Sequence, residues 1–141
     1  MARILCIDWG LKRSGLAVTD PLKIIATGLT TVDTRDLISF LKKYMLQDLV
    51  ELIIIGEPKN LDDSDTDATG PVKKTILQLK KEFPLVPVKS VDERYTSKLA
   101  TQAMFQMGLK KKDRRNKRII DQVAATIILQ EYLLSITNAE K

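Results

Sequence analysis

The sequence predicts an α/β fold in which helices flank a mixed five-stranded sheet. Three strand-like segments follow one another at the start of the chain, and later strands alternate with helices. This order, βββαβαβαα, is typical of a sheet that begins antiparallel and continues parallel. With 141 residues, no internal repeat and no obvious linker, we expect a single domain spanning residues 1–141.

The first three strands are predicted from apolar runs and turn signals. Residues 3–8 are an apolar run that ends in an acid, and residues 14–19 form a second strand after a glycine-containing loop, so the two predict a hairpin. Residues 24–32 predict a third strand, because a turn signal at residues 19–21 precedes them.

A helix and a buried strand come next. Asp33 or Thr34 is expected to cap the helix. Its apolar residues recur at helical spacing, at Leu37, Ile38, Leu41, Tyr44 and Met45. Residues 49–55 are almost continuously apolar and rich in β-branched side chains, and Gly56 is expected to end this run. Such a run is typical of a central parallel strand that is covered on both faces.

The remaining elements are predicted to be a helix, a short strand and two further helices. A helix is expected over residues 71–82, and residues 86–91 predict an edge strand, because Pro87 cannot donate a ladder hydrogen bond. Two further helices are expected, one from residue 96 or 97 to 107 and the last over residues 116–134.

The composition is that of a globular protein. Apolar residues make up 44% of the chain and charged residues 29%. We expect no apolar stretch that approaches the roughly 18 residues of a membrane span, no membrane association and no secretory leader. Cys6, the single cysteine, lies in an apolar run as a core residue, and a cytoplasmic location is expected.

The absence of histidine narrows the possible chemistry. The chain contains no histidine, which excludes Ser-His and Cys-His nucleophile pairs, a histidine general base and a histidine-ligated zinc site. Hydrolysis by this chain would therefore depend on carboxylates and a hard cation.

Acids lie where strands of the predicted sheet end. Asp8 ends the first strand, Glu57 follows the fourth, and Glu93 follows the fifth together with Asp92. Side chains at the carboxyl ends of strands meet at one edge of an α/β sheet. Asp121 lies near the start of the last helix, on a strip with two alanines that allow close approach to the sheet. An exposed helix-start acid is an equally good interpretation of Asp121.

Clustered carboxylates predict a divalent cation. Carboxylates repel one another unless a cation lies among them, and oxygen ligands favour Mg²⁺ or Mn²⁺. Two such ions about 4 Å apart can activate a water and stabilise the leaving oxygen in phosphodiester hydrolysis.

Basic residues predict contact with nucleic acid. The net charge is +5, and Lys12 and Arg13 follow Asp8 in a loop bracketed by glycines. Seven cations lie within nine residues of the segment 110–118: Lys110, Lys111, Lys112, Arg114, Arg115, Lys117 and Arg118. A solvated loop is the alternative interpretation of this segment.

Five sequence blocks resemble the YqgF family, which is related to the RuvC Holliday-junction resolvases. They are DWGLKRSGLAVTD at residues 8–20, IIGEP at 54–58, DERYTS at 92–97, DQVAA at 121–125 and ILQEYL at 128–133. The resemblance implies an RNase H-like fold with strand order 3-2-1-4-5. It also implies a nuclease for the 5′ end of pre-16S rRNA or a Holliday-junction resolvase.

The resemblance also implies roles for individual residues. Asp8, Glu93 and Asp121 match the family's metal-binding acids, and Arg94 and Thr96 match positions beside the site. Glu57 departs from the pattern, since the family commonly has an apolar residue there. It is interpreted either as a fourth ligand, as in RuvC-type relatives, or as a surface acid.

Three hypotheses for function follow. The first is a metal-dependent nuclease, active as a monomer or homodimer on structured RNA or branched DNA; few aromatic residues are available for base stacking. The second is a nucleic-acid-binding factor of ribosome maturation without catalysis. The third is an ATP-handling protein, which is disfavoured because such folds use two domains of this kind.

Overall fold

The computed structural model describes residues 2–57, 69–92, 102 and 116–139. In chain order its elements are β1 (Arg3–Asp8), β2 (Arg13–Thr19), β3 (Ala26–Asp33), a 3-10 turn (Thr34–Asp36), α1 (Leu37–Gln47), β4 (Val50–Glu57), α2 (Thr69–Glu82), β5 (Val88–Asp92) and α3 (Lys117–Ala139).

The five strands form one mixed sheet in the order β3-β2-β1-β4-β5. The β1–β2 and β2–β3 pairs are antiparallel, whereas β4 pairs in parallel with both β1 and β5. The predicted fold class and strand order are therefore confirmed. As predicted, β4 is a parallel strand inside the sheet and β5 is an edge strand, although the central strand is β1.

Helices cover both faces of the sheet. Strand residues alternate between the faces, so each strand contributes to two apolar clusters. One cluster joins the sheet to α1 and α2 through Leu5, Ile7, Leu16, Ile53, Ile55, Leu37, Leu41, Val72 and Leu79. The other joins it to α3 through Ile4, Cys6, Ala17, Ile54, Ala125, Ile128, Leu129 and Leu133. The result is a three-layer arrangement with Cys6 in the core, as predicted.

The third strand starts later than predicted. It begins at Ala26, because the backbone N–H groups of Ile24 and Ile25 both donate to the Oδ1 atom of Asp20, at 2.7 and 2.8 Å. These bonds hold residues 20–25 as a turn. The bond from Ile25 is the largest cause that lowers the pKa of Asp20 below its usual value.

The fourth strand runs past the glycine that was expected to end it. Gly56 lies between Asp8 of β1 and Val91 of β5 in the two ladders, so neighbours on both sides hold it in the strand. The strand therefore ends at Glu57.

The prediction that Asp33 or Thr34 caps the first helix is wrong. A 3-10 turn precedes α1, and neither Asp33 before that turn nor Asp36 before α1 makes a side-chain capping bond. The side chains of Asp33 and Thr34 bind other elements instead. Tertiary contacts have taken the place of the local cap.

The prediction that no apolar stretch approaches the length of a membrane span is wrong for the last helix. Lys117–Ile136 is long and apolar enough to cross a membrane by length and composition. In the structure it packs on the sheet and buries Ala125 and Leu129 completely. It also carries Asp121 and Glu131, which would be unfavourable in lipid. Its buried apolar residues are part of the core, whereas Leu134 is exposed.

The helix predicted from residue 96 or 97 to 107 lies outside the described residues, apart from the helical Gln102. The final helix is longer than predicted and reaches Ala139.

Candidate active site

The carboxyl ends of three parallel strands meet at one edge of the sheet. Asp8 ends β1 and pairs with Gly56 of β4, and Glu57 pairs with Asp92 at the end of β5. Register therefore brings these backbone positions side by side. The side chains of Glu57 and Asp92 lie outside the described part, as does all of Glu93, which follows β5 directly.

Helix α3 approaches this edge at a glycine. Gly15 of β2 lies opposite Asp8 in the antiparallel ladder. A β-carbon at Gly15 would overlap the carbonyl oxygen of Asp121 and lie 2.9 Å from the backbone nitrogen of Gln122. The backbone of Asp121 is thus in contact with the residue that pairs with Asp8.

Asp8 and Asp121 lie on the same side of the sheet. Side chains along β1 alternate, and Ile4 and Cys6 belong to the cluster that packs against α3. Asp8 continues that series, two residues after Cys6. The fold therefore brings together two acids that are far apart in sequence, one from a strand end and one from the helix above it.

Arg13 neutralises Asp121. The Arg13 Nε atom donates to Asp121 Oδ2 at 3.1 Å, and the two side chains are 29% and 25% exposed. The sequence predicted that Arg13 would contact phosphate, and it gave no sign of this ion pair. Its partners are 108 positions apart, so no local pattern could reveal it.

Arg118 ties the start of α3 to the edge strand β3. Its Nη2 atom donates to Asp33 Oδ1 at 2.8 Å, and its Nη1 atom donates to the Thr31 carbonyl oxygen at 3.0 Å. The Thr31 hydroxyl donates in return to the Arg118 carbonyl oxygen at 2.6 Å. Arg118, one helical turn before Asp121, therefore holds this end of α3 against the sheet.

Thr34 fixes the loop that follows Asp8. Its hydroxyl donates to the Gly10 carbonyl oxygen at 2.6 Å, and its backbone N–H donates to the Lys12 carbonyl oxygen at 2.9 Å. Because the Thr34 proton is used on Gly10, the buried Ser14 hydroxyl is the donor in the 2.9 Å bond between the two hydroxyls. Sequence reasoning treated Thr34 as a helix cap and missed this positioning role.

Replacing Thr34 with valine tests this network. Thr34→Val keeps the side-chain shape but leaves the Ser14 hydroxyl and the Gly10 carbonyl without their partner, so we expect a loss of about 1–3 kcal/mol in the free energy of unfolding. Urea denaturation measures it. Thr27→Val, at an exposed position of β3, is the matched control and should stay within about 0.5 kcal/mol of the native chain. Equal midpoints for the two variants would refute the role of Thr34.

Trp9, next to Asp8, is a core residue. It is 5% exposed and belongs to the cluster on the α1 and α2 face. Within the described residues its Nε1 atom has no hydrogen-bond partner. Its position is therefore that of a packing residue.

The other predicted site residues divide into two groups. Lys12, Lys117 and Arg118 are exposed. Those outside the described residues are Arg94, Thr96, Lys110, Lys111, Lys112, Arg114 and Arg115, together with Glu93. Within the described ranges no three acids or cysteines are grouped closely enough to hold a metal ion.

Comparison with known proteins gives concordant matches. A family model described as "RuvX: Holliday junction resolvase" matches residues 2–135. A protein of Phocaeicola vulgatus is 53% identical over 135 residues, which are 96% of this chain and 97% of that protein. A protein of Christiangramia forsetii is 50% identical over 133 residues, which are 94% and 98%. Both bear the name "Putative pre-16S rRNA nuclease".

One solved structure supports the fold. The RuvC protein of T. thermophilus, in complex with a Holliday junction substrate, superposes with a TM-score of 0.57 at 16% identity, over 98% of this chain and 97% of that one. The RNase H-like fold expected from the sequence is thereby confirmed.

Proposed function

This chain belongs to the RuvX family, also called YqgF, and from that premise we propose that it is a metal-dependent nuclease that hydrolyses phosphodiester bonds at the 5′ end of pre-16S rRNA. The observation that carries the proposal is the approach of Asp121 to the strand end that bears Asp8, through the contact at Gly15. The names of relatives about 50% identical over almost their whole length support the substrate.

The residues present fit a hard divalent cation. Asp8 and Asp121 offer oxygen ligands, which suit Mg²⁺ or Mn²⁺. A guanidinium already lies on the Asp121 carboxylate, so this position accepts positive charge. We assign Asp8, Asp121 and Glu93 as the ligands, with Glu57 as the candidate for a fourth. A bound cation would supply an activated water and stabilisation of the leaving oxygen.

The protein's own groups bind and orient the substrate. In the proposed mechanism Asp8 and Asp121 present their carboxylates from rigid elements, a strand end and a helix packed on the sheet. Glu93 is a ligand or accepts the proton of the attacking water. Arg13 and Lys12 contact the phosphate that is cut, in a loop that Thr34 holds in place.

A basic surface extends this contact along the nucleic-acid backbone. Arg94, Lys117 and the cations of segment 110–115 would bind phosphates with little regard to sequence. Arg118 adds positive charge to this surface while its guanidinium stays bound to Asp33 and Thr31. The affinity should therefore fall steeply as salt rises. A cytoplasmic location is part of the proposal, since the substrate is ribosomal RNA precursor.

A second candidate is resolution of branched DNA, which the description of the matching family model favours. Cutting a symmetric junction at two positions would favour a homodimer, whereas trimming an RNA end needs only a monomer. The oligomeric state on each substrate is thus informative about function.

The test is cleavage of two end-labelled substrates, a pre-16S rRNA fragment with its 5′ leader and a four-way DNA junction, each with Mg²⁺, Mn²⁺ or EDTA. We expect metal-dependent cutting of the RNA, no cutting in EDTA and slower cutting of the junction. Preference for the junction would favour the resolvase. Binding of RNA without cleavage of either substrate would contradict the proposed nuclease activity. It would favour the hypothesis of a ribosome-maturation factor that binds RNA without catalysis.

A further inference from the structure

Four charged residues of alternating sign join β2, β3 and α3. Arg13 and Asp33 are opposite one another in the β2–β3 ladder, where paired side chains project on the same face. Arg118 and Asp121 lie one turn apart on α3. Across the interface Arg13 binds Asp121 and Arg118 binds Asp33. We call these four residues the charge quartet.

We propose that Arg13 is an exchangeable counter-cation, which neutralises Asp121 in the metal-free protein and moves to the substrate phosphate when a divalent cation binds that carboxylate. The inference rests on the proposed function, because it takes Asp121 as a cation ligand. It adds that metal binding prepares the phosphate-binding group.

The two ion pairs of the charge quartet are held differently. Arg118 makes two side-chain bonds, to Asp33 and the Thr31 carbonyl oxygen, and a third bond joins its own carbonyl oxygen to Thr31. The bond described for the Arg13 side chain uses its Nε atom alone. Arginine carries five N–H donors, so the terminal nitrogens of Arg13 can engage a phosphate. Arg13 is therefore the member that can exchange.

Only side-chain rotation is needed for this exchange. The backbone of Arg13 is fixed by the β2–β3 ladder, and the backbone of Asp121 is fixed against Gly15. Both side chains of the pair are about one-quarter exposed, so a cation and a phosphate can reach them from solvent. Asp33 is bound to Arg118, so it does not compete strongly for Arg13 after it leaves Asp121.

The exchange makes cation binding and phosphate binding mutually favourable. Without a cation, the Arg13–Asp121 pair holds the guanidinium at the carboxylate and keeps a positive charge where a divalent cation would bind. A cation at Asp121 releases Arg13, and a phosphate that binds Arg13 releases Asp121. By linkage each ligand must raise the affinity of the other by the same factor.

Calorimetric titration of the full chain with Mn²⁺ tests the exchange without reference to cleavage. Arg13→Gln removes the competing cation, so we expect it to bind Mn²⁺ at least about threefold more tightly than the native chain. Lys42→Gln is the matched control: it removes one positive charge from the Lys42–Glu82 ion pair, on the α1 and α2 face, and should leave the affinity unchanged. Arg13→Lys, which keeps the charge, should stay within about twofold.

The outcomes separate this inference from the proposed function. If the native chain binds Mn²⁺ but Arg13→Gln binds it equally or more weakly, Arg13 is a fixed partner and the exchange is wrong, while the metal site stands. If the native chain binds no Mn²⁺, or if Asp121→Asn binds it as well as the native chain, the proposed site itself fails and the inference with it.

A second uncharged variant covers the case in which Arg13→Gln does not fold. Arg13→Met keeps the apolar part of the side chain and its packing. It should show the same tighter binding of Mn²⁺, and an unchanged affinity would overturn the exchange.

Discussion

Replacing Gly15 with alanine is expected to destabilise the protein and to disable the site. The added methyl group would overlap the Asp121 carbonyl oxygen, and this obstacle is helix backbone that cannot rotate away. Helix α3 must shift from the sheet, and the buried contacts of Ala125 and Leu129 shift with it. We expect a loss of about 1–3 kcal/mol in the free energy of unfolding, measured by urea denaturation, and loss of most cleavage activity.

Two other glycines provide controls for this prediction. A β-carbon at Gly28 would meet the side chain of Gln122, with its amide nitrogen 2.6 Å away, and this flexible side chain can move. Gly70, in the first turn of α2, has no described atom within 4 Å of such a carbon. Gly28→Ala should therefore be milder than Gly15→Ala, and Gly70→Ala should be neutral or stabilising by about 0.5 kcal/mol. A Gly15→Ala variant as stable as Gly70→Ala would refute the close contact.

Removing the charge of Asp8 or Asp121 is expected to abolish cleavage. Asparagine keeps the size of each side chain but gives up a charged oxygen ligand, and cation stabilisation of the transition state is worth several kcal/mol. We expect each of Asp8→Asn and Asp121→Asn to slow cleavage by about a thousandfold or more. The affinity for RNA should fall by no more than about threefold, because the basic surface supplies most of it.

Asp48→Asn is the matched control for the two site variants. Asp48 precedes the amino end of β4, and the candidate site lies at the carboxyl end of that strand. The Asp48 side chain is 42% exposed and lies beside Arg3. Its substitution should leave the cleavage rate unchanged. Rates within about tenfold of the native chain for both site variants would mean that these carboxylates do not bind the catalytic cation.

The sheet could be predicted closely because its signals are local. Apolar runs and turn residues placed all five strands, and the run ending at Ile55 revealed a parallel strand covered on both faces. Strand ends then predicted that Asp8 would lie at the edge where acids gather. The positions of these strand ends needed no knowledge of tertiary contacts.

The contacts that order the candidate site could not be read from local patterns. Asp33 and Thr34 have the residue types and position of helix caps, yet their side chains bind Arg118 and Gly10, which are 85 and 24 positions away. The sequence indicated Gly15 only as one of two glycines that bracket the loop of Lys12 and Arg13, although the close approach of Asp121 requires a glycine there. These roles arise only when α3 is packed on the sheet.

The central claim is that carboxylates from β1 and α3 share a divalent cation. Anomalous diffraction at the manganese edge, from crystals grown with Mn²⁺, tests it most directly. We predict a manganese peak within coordination distance of both the Asp8 and the Asp121 carboxylates, with Arg13 turned away from Asp121. Ordered manganese elsewhere, or an intact Arg13–Asp121 pair at saturating Mn²⁺ with no peak beside Asp8, would contradict it.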